Sequence, residues 1–269
     1  MLLENKTAVI YGGSGAVGSA VAHAFAGEGA KVFLTGRDLA KVQAVADAIT
    51  ASGGKARAAQ VDALDESAVG PHLDSVTEQT GGVDISFNAV GIHAKRVEEL
   101  GMQGVPLTEL PVESFVEPLA MYPRAHFVTG RAAARRMLEK ERPGVILMHT
   151  PEPGRIGAPL LGGMGPAWAA LEALCREFSA ELASRGIRAV CLRTTGLPET
   201  PTMDVVFGIH GRALGIPPEA FRKFLEMRTH TQRSTTLTEL TGAAVLLASD
   251  LARGFTGSVL NLTAGETAD

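Results

Sequence analysis

Hydrophobic positions along the chain fall into two rhythms that alternate from end to end. Short apolar runs at 7–10, 31–35, 58–61, 83–87, 145–148, 188–192 and 258–262 are each closed by glycine or a polar residue, and they predict seven strands. Between them the apolar spacing changes to three and four. Val17, Val21, Ala24 and Phe25 share one helical face, and Asp38 reads as the cap of a helix running to about 50. Further helices are expected over 66–79, 112–141 and 237–251. Another, ending near 185, carries the apolar stripe Ala170, Leu171, Leu174, Phe178 and Leu182. Pro118 and Pro123 are expected to disturb the first half of the helix over 112–141. The segment 91–111 reads as a loop, and 196–234 has the least regular pattern. Alternation of this kind gives an α/β fold: a doubly wound parallel sheet of about seven strands with helices on both faces, here one domain over 1–269. Ligands of such sheets bind beyond the carboxyl ends of the strands, where strand order reverses. The turn after the first strand, Asp62, Asn88, Thr150 and Arg193 all fall at those ends.

The first strand runs into Tyr11-Gly12-Gly13-Ser14-Gly15-Ala16-Val17-Gly18 and a helix follows. Strand, glycine turn and helix together aim free backbone N–H groups and the positive end of a helix at a phosphate, so this is a Rossmann-like dinucleotide turn. Gly12, Ser14, Ala16, Val17 and Gly18 are its expected cofactor-binding positions.

Composition narrows the function classes. The 269 residues carry a net charge of −4 and no basic stripe, which argues against a nucleic-acid surface. No apolar run approaches a membrane span of ~20 residues, and the sequence enters its first strand with no signal peptide pattern. Two cysteines, Cys175 and Cys191, form no disulfide framework and suit a reducing cytoplasm. Neither they nor the histidines show metal-ligand spacing, so no metal is expected.

With these motifs in view, the chain resembles a short-chain dehydrogenase/reductase over essentially its whole length. The glycine turn resembles that family's TGxxxGxG, with Tyr11 for Thr and Ala16 for the middle Gly. Asn88-Ala89-Val90-Gly91 resembles its NNAG, and Asp62 matches its Asp after strand three. The stretch 254–265 resembles its ITGQxLxVDGG ending. The resemblance implies a nicotinamide dinucleotide held by the turn, Asp62, Asn88 and Gly91. At the end of strand two, where NAD enzymes keep a carboxylate, the chain has Gly36 followed by Arg37, which favours NADP(H) over NAD(H). Asp38, one residue on, would reverse that preference if it belonged to the ribose.

The family's Ser, Tyr and Lys are missing. With the helix after strand five aligned through Arg176 and Ser179, the Tyr place is Met164 and the Lys place is Trp168. The Ser place is Pro151 or, shifted by one, Thr150, and the place of the helical Asn is Tyr122. Met has no proton to give and Trp offers only an indole N–H. Tyr122, His149 and Thr150 are the substitute catalytic candidates, with His93 and Lys95 in the strand-four loop behind them. Arg193 reads either as an anion-binding group or as a structural ion pair. The segment 196–234, rich in Met, Val, Phe and Leu, reads as a cover over a small hydrophobic substrate. Three functions stay open: an oxidoreductase with a rebuilt proton donor; a nucleotide- or partner-binding protein without catalysis; and a non-redox isomerase, cyclase or lyase. By resemblance the chain forms a homodimer or homotetramer.

Overall fold

The structure, a computed structural model, describes residues 1–268. Seven strands form one wholly parallel sheet: β1 (Thr7–Tyr11), β2 (Lys31–Gly36), β3 (Lys55–Gln60), β4 (Ile85–Asn88), β5 (Gly144–Pro151), β6 (Ile187–Thr194) and β7 (Ser258–Leu262). Their order is β3-β2-β1-β4-β5-β6-β7, so strand order reverses between β1 and β4. Every residue of β1 is buried, and the period of two divides its side chains between two cores. Ala8 and Ile10 pack with α1 (Ala16–Gly27), α2 (Leu39–Ala51) and α9 (Leu237–Ala248). Val9 and Tyr11 pack on the other face with α3 (Glu66–Thr80), α5 (Val112–Glu139) and α6 (Met164–Leu182). The doubly wound arrangement follows: an apolar run needs a helical layer on each side when both faces of its strand are buried.

Most elements fall where the pattern puts them, and the differences have physical reasons. β3 begins at Lys55, earlier than the apolar run, because it is an edge strand whose outward positions are exposed and polar. α5 runs unbroken through Pro118 and Pro123. Each proline removes one N–H, but packing against α3, α6 and the sheet holds the 28-residue helix together. The expected loop over 91–111 contains a short helix, α4 (Ala94–Glu99). The irregular segment 196–234 folds as two helices, α7 (Pro201–Leu214) and α8 (Pro218–Arg228). Each begins at proline, whose missing N–H costs nothing in a first turn. Their interior is Phe207 and His210 against Phe221, while Phe224 and Met227 of the expected apolar cover face outward.

At the reversal point backbone meets backbone. Gly12 holds a left-handed φ of 74°, and a Cβ there would lie 2.9 Å from the Ala89 carbonyl oxygen. A Cβ on Gly18, in the first turn of α1, would lie 2.2 Å from the Gly12 carbonyl oxygen. Gly27, at the far end of the same helix, faces open space. Gly18→Ala is therefore expected to cost about 1–3 kcal/mol, and Gly27→Ala to add up to about 1 kcal/mol. Thermal unfolding of the two variants checks this; equal effects would refute the close approach.

Candidate functional site

A cleft of about 370 Å³ opens along the carboxyl ends of the strands, across the reversal point. Gly12, Ser14, Gly15, Ala16 and Val17 line its near end. Gly15 caps α1 without a side-chain hydrogen bond, so the first-turn N–H groups are left for a ligand. The free donors of the turn match a phosphate, so these residues fit the diphosphate of a dinucleotide. Gly18 does not line the cleft. Its place is beneath the turn, where it permits the close packing of α1.

Gly36 and Arg37 form the mouth of this end. The Arg37 backbone is held by Gln60, whose Nε2 donates to its carbonyl at 3.0 Å, while its side chain lies exposed. Asp38 is engaged elsewhere. Its carboxylate accepts from the Lys41 N–H at 3.2 Å as the cap of α2, and it does not line the cleft. Asp62 forms the adjoining wall, one carboxylate oxygen accepting from the Leu64 N–H at 3.0 Å. Asn88 ties the floor to α5: its amide donates to Thr129 Oγ1 at 2.9 Å, and its oxygen accepts from the Val90 N–H at 2.9 Å. Gly91 follows on the rim, where a Cβ would lie 3.6 Å from the Tyr122 hydroxyl.

The far end is built from Tyr122 of α5, His149 of β5, Trp168 of α6, Thr194 of β6 and Met203 of α7. Tyr122 and Trp168 meet edge to face, with ring centroids 6.2 Å apart. The phenol oxygen accepts from the Ile92 N–H at 3.5 Å, with the Trp168 indole beside it, and its own O–H is left to donate. Burial raises its pKa above the ordinary 10, with those two donors pulling weakly the other way. Tyr122 is thus a neutral donor across the physiological range. His149 Nε2 lies 2.9 Å from Thr194 Oγ1. Burial, and then the nearby His126, push its pKa down to about 4. His149 is therefore a neutral imidazole, not a cation.

Several sequence candidates stand elsewhere. Thr150 does not line the cleft: its hydroxyl is fully buried, 3.3 Å from Glu172 and 3.4 Å from Cys191 Sγ. The alternation of β5 turns it into the core while its neighbours His149 and Pro151 face the cleft, and the expectation of a catalytic Thr150 is corrected on that ground. Arg193 forms a buried bidentate pair with Glu172, at 2.8 Å for both contacts, which settles its two readings in favour of structure. His93 reaches the rim but caps α4, with Nδ1 accepting from the Lys95 N–H at 3.3 Å, and Lys95 pairs with Glu99. Met164 is sealed, 1% exposed, in an apolar cluster with Ile92, Val97, Met102, Trp168 and Ile209. Met164 does not line the cleft.

His126 was not singled out from the sequence. It lies one helical turn after Tyr122 and donates from Nδ1 to the Tyr122 carbonyl at 3.0 Å. Its Nε2 is buried without a partner, and burial lowers its pKa to about 4. The spacing of four from Tyr122 was the available signal. Taken together, the far end offers a neutral phenol and a neutral imidazole, with no cation and no carboxylate lining it among the described residues. It can donate a hydrogen bond or a proton to an oxygen. Neither of these two groups titrates near pH 7, so neither is suited to abstract a proton there.

Comparison with known proteins agrees with this architecture. A family model described as enoyl-(acyl carrier protein) reductase matches residues 13–267. The uncharacterized oxidoreductase YxbG of Bacillus subtilis is 30% identical over 263 residues, covering 98% of this chain and 91% of that protein. An L-rhamnose 1-dehydrogenase (NAD(P)(+)) of Azotobacter vinelandii is 28% identical over 272 residues, 98% of each chain. Among solved structures, a short-chain type dehydrogenase/reductase from Mycobacterium marinum superposes with a TM-score of 0.82 at 27% identity, covering 99% of this chain and 97% of its own. With the fold, the glycine turn and the reversal-point cleft, these matches place the chain in the short-chain dehydrogenase/reductase family of oxidoreductases.

Proposed function

We propose that this protein is an NADP(H)-dependent reductase of hydrophobic carbonyl compounds, with Tyr122 as its proton donor. One observation carries the reading: a single cleft joins the glycine turn and Arg37 at one end to the Tyr122 hydroxyl at the other. The turn and the open N-terminus of α1 would hold the diphosphate. Asp62 and Asn88 would wall the adenosine half, and Arg37 would pair with a 2′-phosphate through charge-assisted bonds. Asp38 supports NADP(H) over NAD(H), because its carboxylate is used as a helix cap.

Bound NADPH supplies a hydride, and the chain supplies orientation and a proton. A substrate carbonyl oxygen resting on Tyr122 Oη receives its hydrogen bond. As negative charge grows on that oxygen, the phenol proton moves to it. This transfer is downhill despite the raised pKa, because an alkoxide is far more basic than a phenolate. The reverse reaction needs a phenolate, and the Ile92 and Trp168 N–H groups are weak substitutes for an ammonium. The site therefore favours reduction over alcohol oxidation. Ile92, Leu197 and Met203 beside it suit an apolar substrate. The reading includes a cytoplasmic homodimer or homotetramer. In support, Cys175 and Cys191 are free, and Phe127, half exposed on α5, stacks on Phe178 of α6. No helix among the described residues is long and apolar enough to cross a membrane.

A second reading is favoured by the sealed Met164 cluster: a protein that binds the dinucleotide without turnover. NADPH binding with no NADPH oxidation across a broad panel of carbonyl compounds would select it.

Titration of NADPH and NADH, followed by Trp168 fluorescence, should show tighter NADPH binding. Arg37→Ala should weaken NADPH about 10- to 100-fold and leave NADH nearly unchanged. Equal loss for both nucleotides would overturn the assignment of Arg37. Tyr122→Phe should lower kcat for carbonyl reduction about a hundredfold or more with NADPH affinity kept; full retained activity would eliminate Tyr122. The pKa of Tyr122 is raised and that of His149 lowered, so neither changes charge near neutrality. At saturating NADPH and substrate the reduction rate should then show no ionisation limb from either group between about pH 6 and 9, and a bell centred near 7 would contradict the assignment.

A further inference from the structure

A cluster of ionisable side chains lies beside the cleft and plays no part in the proposed chemistry. Glu152 opens the short turn directly after Pro151, a cleft residue. Its side chain is buried and meets the carboxyl group of Glu266, from the turn after β7. The Glu266 side chain is 3% exposed, and Arg228 Nη2, at the last residue of α8, lies 2.9 Å from its Oε1. Glu152 Oε2 and Glu266 Oε1 are both buried with no aligned hydrogen-bond donor. Two buried carboxylates sharing one guanidinium leave a net negative charge out of water, which is costly. A proton held between them supplies the missing donor and brings the cluster to neutrality.

We propose that Glu152 and Glu266 share one proton and, with Arg228, form a latch that fastens the α7–α8 cover to the rim of the cleft; losing the proton loosens the cover. The mechanics follow from the fold. Arg228 terminates α8, and the next segment docks on the same tail: a Cβ on Gly265 would lie 2.6 Å from the His230 side chain. α8 is stacked on α7 through Phe221 and His210, whose rings are 4.9 Å apart. α7 in turn presents Thr202 and Met203 to the cleft. Freeing the end of α8 thus reaches the cleft wall through packed rings. Among the described residues, the ionisable groups around the pair are few. Arg228 faces it from α8 and His230 lies against its turn. From α6, packed on the Glu152 turn, the buried carboxylate is Glu172, which Arg193 already holds.

Burial, and then the Glu266 charge, push Glu152 up from 4.5 to about 8. Burial also raises Glu266. The sign follows: the closed cover binds the proton more tightly than the open one. Closure is fully favoured below the ordinary carboxylate range and weakens as pH rises towards 8. In that window opening rises about tenfold per pH unit and then levels off.

Hydrogen exchange on the full chain without nucleotide, corrected for intrinsic chemical rates, tests this. Protection of α8 should fall about tenfold per unit between about pH 5 and 8, with α9 unaffected. Glu152→Gln keeps the shape, replaces the shared proton with an amide donor, and should remove the pH dependence. If that variant does not fold, Glu266→Gln is read in the same way. Flat α8 protection in the unaltered protein, an equal fall in α9, or an unchanged fall in the Gln variants would overturn the latch. The test does not depend on the reductase reading, which stands or falls on nucleotide binding and turnover.

Discussion

Contact of backbone on backbone at the end of β1 is the constraint on which the molecule turns. The helix that follows β1 can reach back over the strand only because Gly18 lies against the carbonyl of Gly12 with no side chain between. Gly12 in turn lies against Ala89, on the far side of the strand reversal. Three chain segments, the end of β1, the start of α1 and the end of β4, are thereby pinned at one point. The N–H groups of the first helical turn are aimed into the opening that the reversal creates. Everything that lines the cleft is placed relative to this junction.

Away from the junction the strand ends divide between core and cleft. Arg193 and Glu172 form a buried ion pair at the end of β6, and removing Arg193 would leave the Glu172 carboxylate buried without its cation. Thr150 adds its hydroxyl to that pair, so one face of the β5 end serves the core while the other serves the cleft. On the far side, Met164 and Trp168 pack into one apolar cluster with Ile92, Val97, Met102 and Ile209. The phenol of Tyr122 reaches the cleft from α5, a different helix, and is steadied by the Ile92 N–H and the indole. Among the described residues, the far end of the cleft carries hydrogen-bonding groups and no permanent charge.

The sequence made the architecture legible where one rhythm dominated: the runs of β1, β4 and β7 and the glycine turn are read directly from residue types. It was misleading where packing overrides propensity. Pro118 and Pro123 argue for a broken helix, and only the neighbours of α5 keep it whole. The cover over 196–234 lacks a clean period because α7 and α8 bury only part of their apolar surface, leaving Phe224 and Met227 outside. For the site, cleft-lining positions such as Arg37, Asp62 and Asn88 could be found from strand ends, and Tyr122 from the family resemblance. Which way Thr150 points depends on the register of a strand that runs past its apolar core. The engagement of Arg193 depends on a partner 21 residues away on α6. No local pattern encodes either. The Glu152–Glu266 contact joins residues more than a hundred positions apart and has no trace in the sequence.

The central claim is that one continuous cleft carries a dinucleotide from the glycine turn to Tyr122. An experimental structure of the complex with NADPH tests it most directly. The account predicts the diphosphate on the N-terminus of α1, the 2′-phosphate at Arg37, and the nicotinamide ring beside His149 and Thr194, with its reactive face open towards Tyr122. A nicotinamide ring turned out into solvent, with Trp168 occupying its place, would contradict it.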